Sequence, residues 1–122
     1  MSVMSSMQIT QKNFDSIAGK SGIVMIDCWA EWCGACSTFN PVYESVARKY
    51  PDHTFAKIDA AAEKELIESL GVENIPTLML FRDGILLFKQ PGYIEEDKLE
   101  DIIRQAESLD MDVVRADIAG QR

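Results

Sequence analysis

AEWCGACSTF, residues 30–39, holds two of the chain's three cysteines, Cys33 and Cys36, in a C-x-x-C spacing beside a tryptophan. The flanking sequence decides how that pair is read. Upstream, IVMIDCWA (23–30) is a near-continuous apolar run of strand length, the pattern of a strand covered on both faces. Downstream, Phe39, Val42, Tyr43, Val46 and Tyr50 fall on one face of a helix of about four turns. Cys33 therefore stands at a helix N-terminus, where unpaired backbone N–H groups and the macrodipole favour an anion. That environment lowers a thiol's pKa and makes the thiolate available near neutral pH. Cys36 lies one turn inward on the same side. Two thiols, one exposed and activated and one behind it, are what thiol–disulfide exchange requires, because the first attacks and the second resolves.

Two other uses of the pair are weaker. A structural zinc site needs four ligands, commonly two such pairs or one pair with histidines. This chain has one pair, one histidine (His53) and one further cysteine, Cys28, inside the apolar run, so no metal is expected. A C-x-x-C loop is also too short to staple a fold of 122 residues. Cys28 reads as a small buried hydrophobe and His53 as a surface or strand-edge residue.

Composition narrows the function classes. A length of 122 residues is one ordinary domain, and 47% hydrophobic with 26% charged residues is a globular composition. The net charge of −8 speaks against a nucleic-acid partner, which needs clustered Lys and Arg. No apolar run approaches the roughly 20 residues that span a bilayer, so no membrane partner is expected. MSVMSSMQITQ (1–11) lacks the basic and apolar regions of a secretory signal, and a cytoplasmic, reducing location is expected.

The remaining pattern alternates strands and helices. QITQKNFDSIAGKSG (8–22) predicts a short strand and a short helix ended by Gly19 and Gly22. Pro41 falls inside the long helix, where a kink is expected, and Pro51 marks its end. HTFAKIDA (53–60) alternates like a strand, and AAEKELIESLG (61–71) predicts a helix with Leu66, Ile67 and Leu70 inward. TLMLFR (77–82) and ILLFKQ (85–90) are two strands joined by Asp83-Gly84, a strong hairpin signal. EEDKLEDIIRQAESL (95–109) predicts a helix with Leu99, Ile102, Ile103 and Ala106 on one face. The order β-α-β-α-β-α-β-β-α demands crossovers and predicts an α/β fold, a mixed sheet with helices on both faces. Residues 109–122 have no clear period, and a short helix and a loose tail both remain open.

Asp27 interrupts the apolar run. A buried acid takes up a proton or finds a partner. Two roles are open at this point: a base for a nearby thiol, or a structural acid bridged to Lys57 on the neighbouring strand.

These residues together resemble the thioredoxin family. DCWAEWCGAC (27–36) is similar to that family's active-site stretch D-F-W-A-x-W-C-G-P-C. Pro41, KID (57–59), NIPTLMLFRDG (74–84) and Gly92 also stand where the family has a helix proline, a strand lysine and aspartate, an Ile-Pro-Thr strand with its hairpin, and a glycine. The resemblance spans about residues 8–108, giving one domain over 1–108 and an extension over 109–122. It implies the thioredoxin fold and specific roles. Cys33 would be the nucleophile and Cys36 the resolving thiol of a redox-active disulfide. Asp27 would accept the Cys36 proton through water, with Lys57 tuning it, which favours the base over the structural acid. Pro76 would be cis, and Trp32, Ile75, Pro76 and Gly92 would form an apolar substrate surface, the Ile75 backbone pairing with an extended chain. Trp29 is expected to serve packing.

The sequence departs from the family in four places. Ala35 follows Gly34 where the family has proline, which should make the couple more oxidising. Ser37-Thr38 replace common basic residues. Asn74, Pro91 and Tyr93 change the groove rim. Residues 1–7 and 109–122 lie outside the resemblance. The expected activity is reduction of protein disulfides by a monomer with no bound cofactor, recharged by a flavin-dependent reductase. An oxidase or isomerase of the same fold, and a binding adaptor, are the competing readings.

Overall fold

The structure, a computed structural model, describes residues 6–120. Residues 1–5 and 121–122, the outer parts of the two predicted extensions, lie outside the described residues. A mixed sheet of five strands runs in the order β1-β3-β2-β4-β5. β2 (Ile23–Trp29) is its centre, parallel to β3 (Thr54–Asp59) and antiparallel to β4 (Thr77–Arg82). β1 (Met7–Ile9) pairs parallel to β3 at one edge, and β5 (Ile85–Pro91) pairs antiparallel to β4 at the other. The parallel strands are linked by α1 (Phe14–Ala18) and α2 (Gly34–Lys49).

Strand alternation divides the core in two. Ile23 and Met25 of β2 pack with Phe39, Tyr43, Leu80, Leu99 and Ile103 under α2 and α4 (Glu96–Ser108). Val24, Ile26 and Cys28 pack with Ile17, Ile58, Leu66 and Met79 under α1 and α3 (Lys64–Ser69). Helices thus cover both faces of the sheet, as the pattern predicts, and Asp27 belongs by alternation to the α2 face. Tyr43 is buried there with its hydroxyl satisfied, donating to the Ala56 carbonyl at 2.7 Å and accepting from the Ala56 N–H at 3.2 Å.

The hairpin turn follows from its residue types. Asp83 (φ 54°) and Gly84 (φ 81°) both take left-handed backbone, as a two-residue I′ turn requires. Asp83 Oδ1 also accepts the Gly22 N–H at 2.7 Å, fastening the turn to the loop before β2.

Three elements differ from, or resolve, the sequence reading. The helix predicted over 61–71 is shorter, because Asp59 Oδ1 accepts the N–H groups of Ala61 (3.0 Å) and Ala62 (3.3 Å). That local turn holds residues 60–62 out of the helix. α2 continues through Pro41, whose missing N–H removes one bond from the helix interior. After residue 108 the chain forms a helix, α5 (Met111–Gly120). Asp110 Oδ1 accepts from the N–H groups of Asp112 (3.0 Å) and Val113 (3.4 Å), a helix-starting cap. Met111 is buried, and Arg115 reaches Asp83 at 3.6 Å. Arg82 Nη1 fixes the α4–α5 junction by donating to the carbonyls of Ala106 (2.6 Å) and Leu109 (2.8 Å).

Candidate functional site

The C-terminal end of β2 delivers Cys33 to the first turn of α2. Cys33 is the N-cap residue, with extended backbone (φ −95°, ψ 111°), and its Sγ accepts the Cys36 N–H at 3.1 Å. One of the helix's free donors is therefore spent on sulfur, the arrangement that favours a thiolate there. Cys33 and Cys36 are joined as a disulfide with a Cα–Cα distance of 5.2 Å.

The outer cysteine is more enclosed than the sequence reading expects. Cys33 keeps 8% of its surface and Cys36 3%, because Ala30, Trp29 and Ile75 pack around the pair. Gly34 and Ala35 are exposed in the first turn, and a Cβ at Gly34 would meet open space. Trp32, next to Cys33 in sequence, is 75% exposed. Ile75 packs against the cysteines and precedes a cis bond to the buried Pro76. Gly92, at φ 95°, donates its N–H to the Pro76 carbonyl at 2.7 Å, so the β5–α4 loop is tied to the segment beside the disulfide. Tyr93 follows, set edge-on against Phe39 with ring centroids 6.0 Å apart.

Beneath lies a polar group in an apolar core. Asp27 is 1% exposed, and its Oδ1 has no hydrogen-bond partner among the described residues. Burial pushes its pKa from 3.8 up to about 7, against the pull of the Lys57 ammonium and with a smaller push from Glu44. Asp27 and Lys57 stand directly opposite each other on β2 and β3, yet the cross-strand ion pair does not form. Lys57 Nζ donates instead to Asn40 Oδ1 and lies 4.9 Å from the centroid of the Trp29 ring. A groove of about 520 Å³ opens here, lined by Trp29, Ala30, Cys36, Asn40, Pro41 and Lys57 among others.

Asn40 and Glu44 have no place in the sequence reading. The available signal is a polar residue four positions after Cys36 on the inward side of α2. Cys28 is buried and unbridged, its thiol pushed up to about 12 chiefly by burial, which makes it inert. His53 sits at the opposite end of the sheet, stacked on Tyr50 and 2.7 Å from Glu107. Among the described residues no group of three or more His, Cys, Asp or Glu side chains is gathered as for a metal. No helix there is long and apolar enough to cross a membrane.

Residues 5–105 match the family model described as thioredoxin. A curated relative, putative thioredoxin 2 of Streptomyces coelicolor, is 46% identical over 118 residues, covering 97% of this chain and 88% of its own. That alignment takes in most of the stretch after residue 108. The thioredoxin of Chlamydia muridarum is 43% identical over 96 residues, covering 78% of this chain and 92% of that protein. Among solved structures, a point-mutant thioredoxin from Halobacterium salinarum NRC-1 superposes with a TM-score of 0.79 at 31% identity, covering 90% of this chain and 98% of that one. A family match of this extent and relatives of this identity leave one assignment: the chain belongs to the thioredoxin family, as a thiol–disulfide oxidoreductase acting through Cys33 and Cys36.

Proposed function

We propose that this chain reduces protein disulfides in the cytoplasm, with Cys33 as attacking thiolate, Cys36 as resolving thiol and Asp27 as proton acceptor. The observation that carries the reading is the N-cap position of Cys33, whose sulfur accepts the Cys36 N–H while the two cysteines are within disulfide reach. In the reduced protein the Cys33 thiolate attacks one sulfur of a target disulfide, and the other target sulfur leaves as a thiolate. Cys36 then gives its proton to Asp27 through water in the groove and attacks Cys33. The second target sulfur departs, the Cys33–Cys36 disulfide closes, and two electrons have passed to the target. A flavin-dependent reductase returns two electrons to this disulfide.

Trp32, Ile75, Pro76 and Gly92 form the surface that receives an extended substrate segment, with the Ile75 backbone as its hydrogen-bonding edge. The exposure of Trp32 and the packing of Ile75 on the cysteines support that role. Gly34 and Ala35 set the flexibility of the turn between the thiols, and Lys57 tunes Asp27. The protein acts as a monomer whose domain ends near residue 108.

Turnover of insulin disulfides, with dithiothreitol as electron source, tests the reading. Cys33→Ser should abolish reduction, and Cys36→Ser should accumulate a mixed disulfide with the substrate. Unchanged turnover in Cys33→Ser would overturn it. A reduction potential near about −180 mV, that of protein disulfide isomerase, would assign the oxidase or isomerase instead.

A further inference from the structure

We infer that Asn40 is a positioning residue of this site: its side-chain oxygen holds the Lys57 ammonium over the groove and away from Asp27. The inference rests on the reading of Asp27 as proton acceptor for its purpose, though not for its geometry.

Lys57 faces a choice of acceptors. It is paired with Asp27 across two parallel strands, so the two side chains leave the sheet on the same face, about 4.8 Å apart at the backbone. A lysine stem spans that distance easily. With 5% of its surface exposed, Lys57 has little water to turn to and needs a protein acceptor. A buried carboxylate in register is the strongest acceptor such a residue ordinarily finds. The ammonium nevertheless points to Asn40 Oδ1 and the Trp29 ring, and Asp27 Oδ1 keeps no hydrogen-bond partner among the described residues.

Asn40 stands one helical turn beyond Cys36, so both project from the same side of α2 and both line the groove with Lys57 and Trp29. The charge is thus drawn toward the groove, and Asp27 is left as an acid whose ionisation burial opposes. Other groups act on it too: Tyr43 and Glu44 from α2, and the Cys28 thiol next to it in β2, whose side chain leaves the opposite face of the sheet. β4 presents Leu78 at the paired position. Lys57 is the cation among these, so its placement governs how readily the acid keeps its proton. A weaker pull from lysine makes Asp27 a stronger base for Cys36 near neutral pH.

The test follows the Asp27 side-chain carboxyl directly by carbon-13 NMR titration of the full chain with its disulfide closed. Asn40→Ala suits a helix interior and removes only the tether. It should lower the Asp27 titration midpoint by about one pH unit or more, as the ammonium swings to the carboxylate. In a Lys57→Met background the same substitution should leave the midpoint where it was. A midpoint that stays put or rises in Asn40→Ala refutes the tether, as does a downward shift that persists without Lys57. Failure of the base role shows up separately, as an Asp27→Asn protein whose disulfide-reduction rate keeps the parent's pH profile.

Discussion

Asp27→Asn should stabilise this fold, and increasingly so as the solution is made more alkaline. The carboxyl is 1% exposed, its Oδ1 has no hydrogen-bond partner among the described residues, and burial pushes its pKa to about 7 against an ordinary 3.8. Below pH 3.8 the group is neutral in folded and unfolded chains alike and carries no penalty. Between 3.8 and about 7 the unfolded chain releases the proton while the folded one keeps it, so stability falls as pH rises. Above about 7 the full penalty is present. The rise of about three pH units at about 1.4 kcal/mol each amounts to about 4 kcal/mol. Asparagine fills nearly the same space and cannot ionise.

Urea unfolding of the disulfide form, at fixed ionic strength from pH 5 to pH 8, measures the difference between the two proteins. Titrations elsewhere in the molecule occur in both and cancel. The variant's advantage should grow by about 2 to 3 kcal/mol over that range. With a slope of about 2 kcal/mol per molar urea, the two midpoints should move apart by about 1 M. A gap that stays constant, or narrows toward alkaline pH, would mean that Asp27 is not held as a neutral acid, and the account of the groove would fail with it.

Replacing Ala35 by proline should move the couple in the reducing direction, on the order of 30 mV for about 1.4 kcal/mol, read from equilibrium with a glutathione buffer. Proline is tolerated in the first turn of a helix, where the amide has no partner within the helix; an equal or higher potential refutes the expectation. Leu99→Ala removes a fully buried side chain between α4 and the sheet and should cost about 2–5 kcal/mol in urea unfolding. Arg82→Met takes a donor from the carbonyls of Ala106 and Leu109 and should cost about 1–3 kcal/mol. It should also speed amide hydrogen exchange across residues 111–120, and exchange as slow as in the parent would show that α5 does not depend on that anchor.

What the sequence makes legible is what short-range physics decides. Asp83-Gly84 marks its turn because few residues accept left-handed backbone at two successive positions, and both do so here. The run over 23–29 reads as a central strand because every side chain in it except Asp27 is apolar, and the strand is buried on both faces as far as Cys28. The apolar spacing overextends α3 for an equally local reason. It says helix over 61–71, but Asp59 takes the next amides for a turn of its own. The same spacing leaves α5 undecided because that helix presents no continuous apolar stripe. Its supports are a single buried methionine, an aspartate cap and an arginine from a distant strand, and a period search weighs none of these.

The site divides along the same line. Cys33 and Cys36 are three positions apart, so a helix start alone brings them together. Asp27 announces itself as an acid in an apolar run. Lys57 can be placed beside it, since strand register sets neighbours. Register does not say which acceptor a lysine will choose, and that choice is made by Asn40, 17 positions away on another element. The outcome runs against stability, because the arrangement leaves a buried oxygen unpartnered when an ion pair stood within reach. An apolar residue at position 27 would remove the penalty altogether. A group that opposes the fold by several kcal/mol above neutral pH, in the core layer beneath the helix that carries both sulfurs, has its physical justification in proton transfer to and from Cys36.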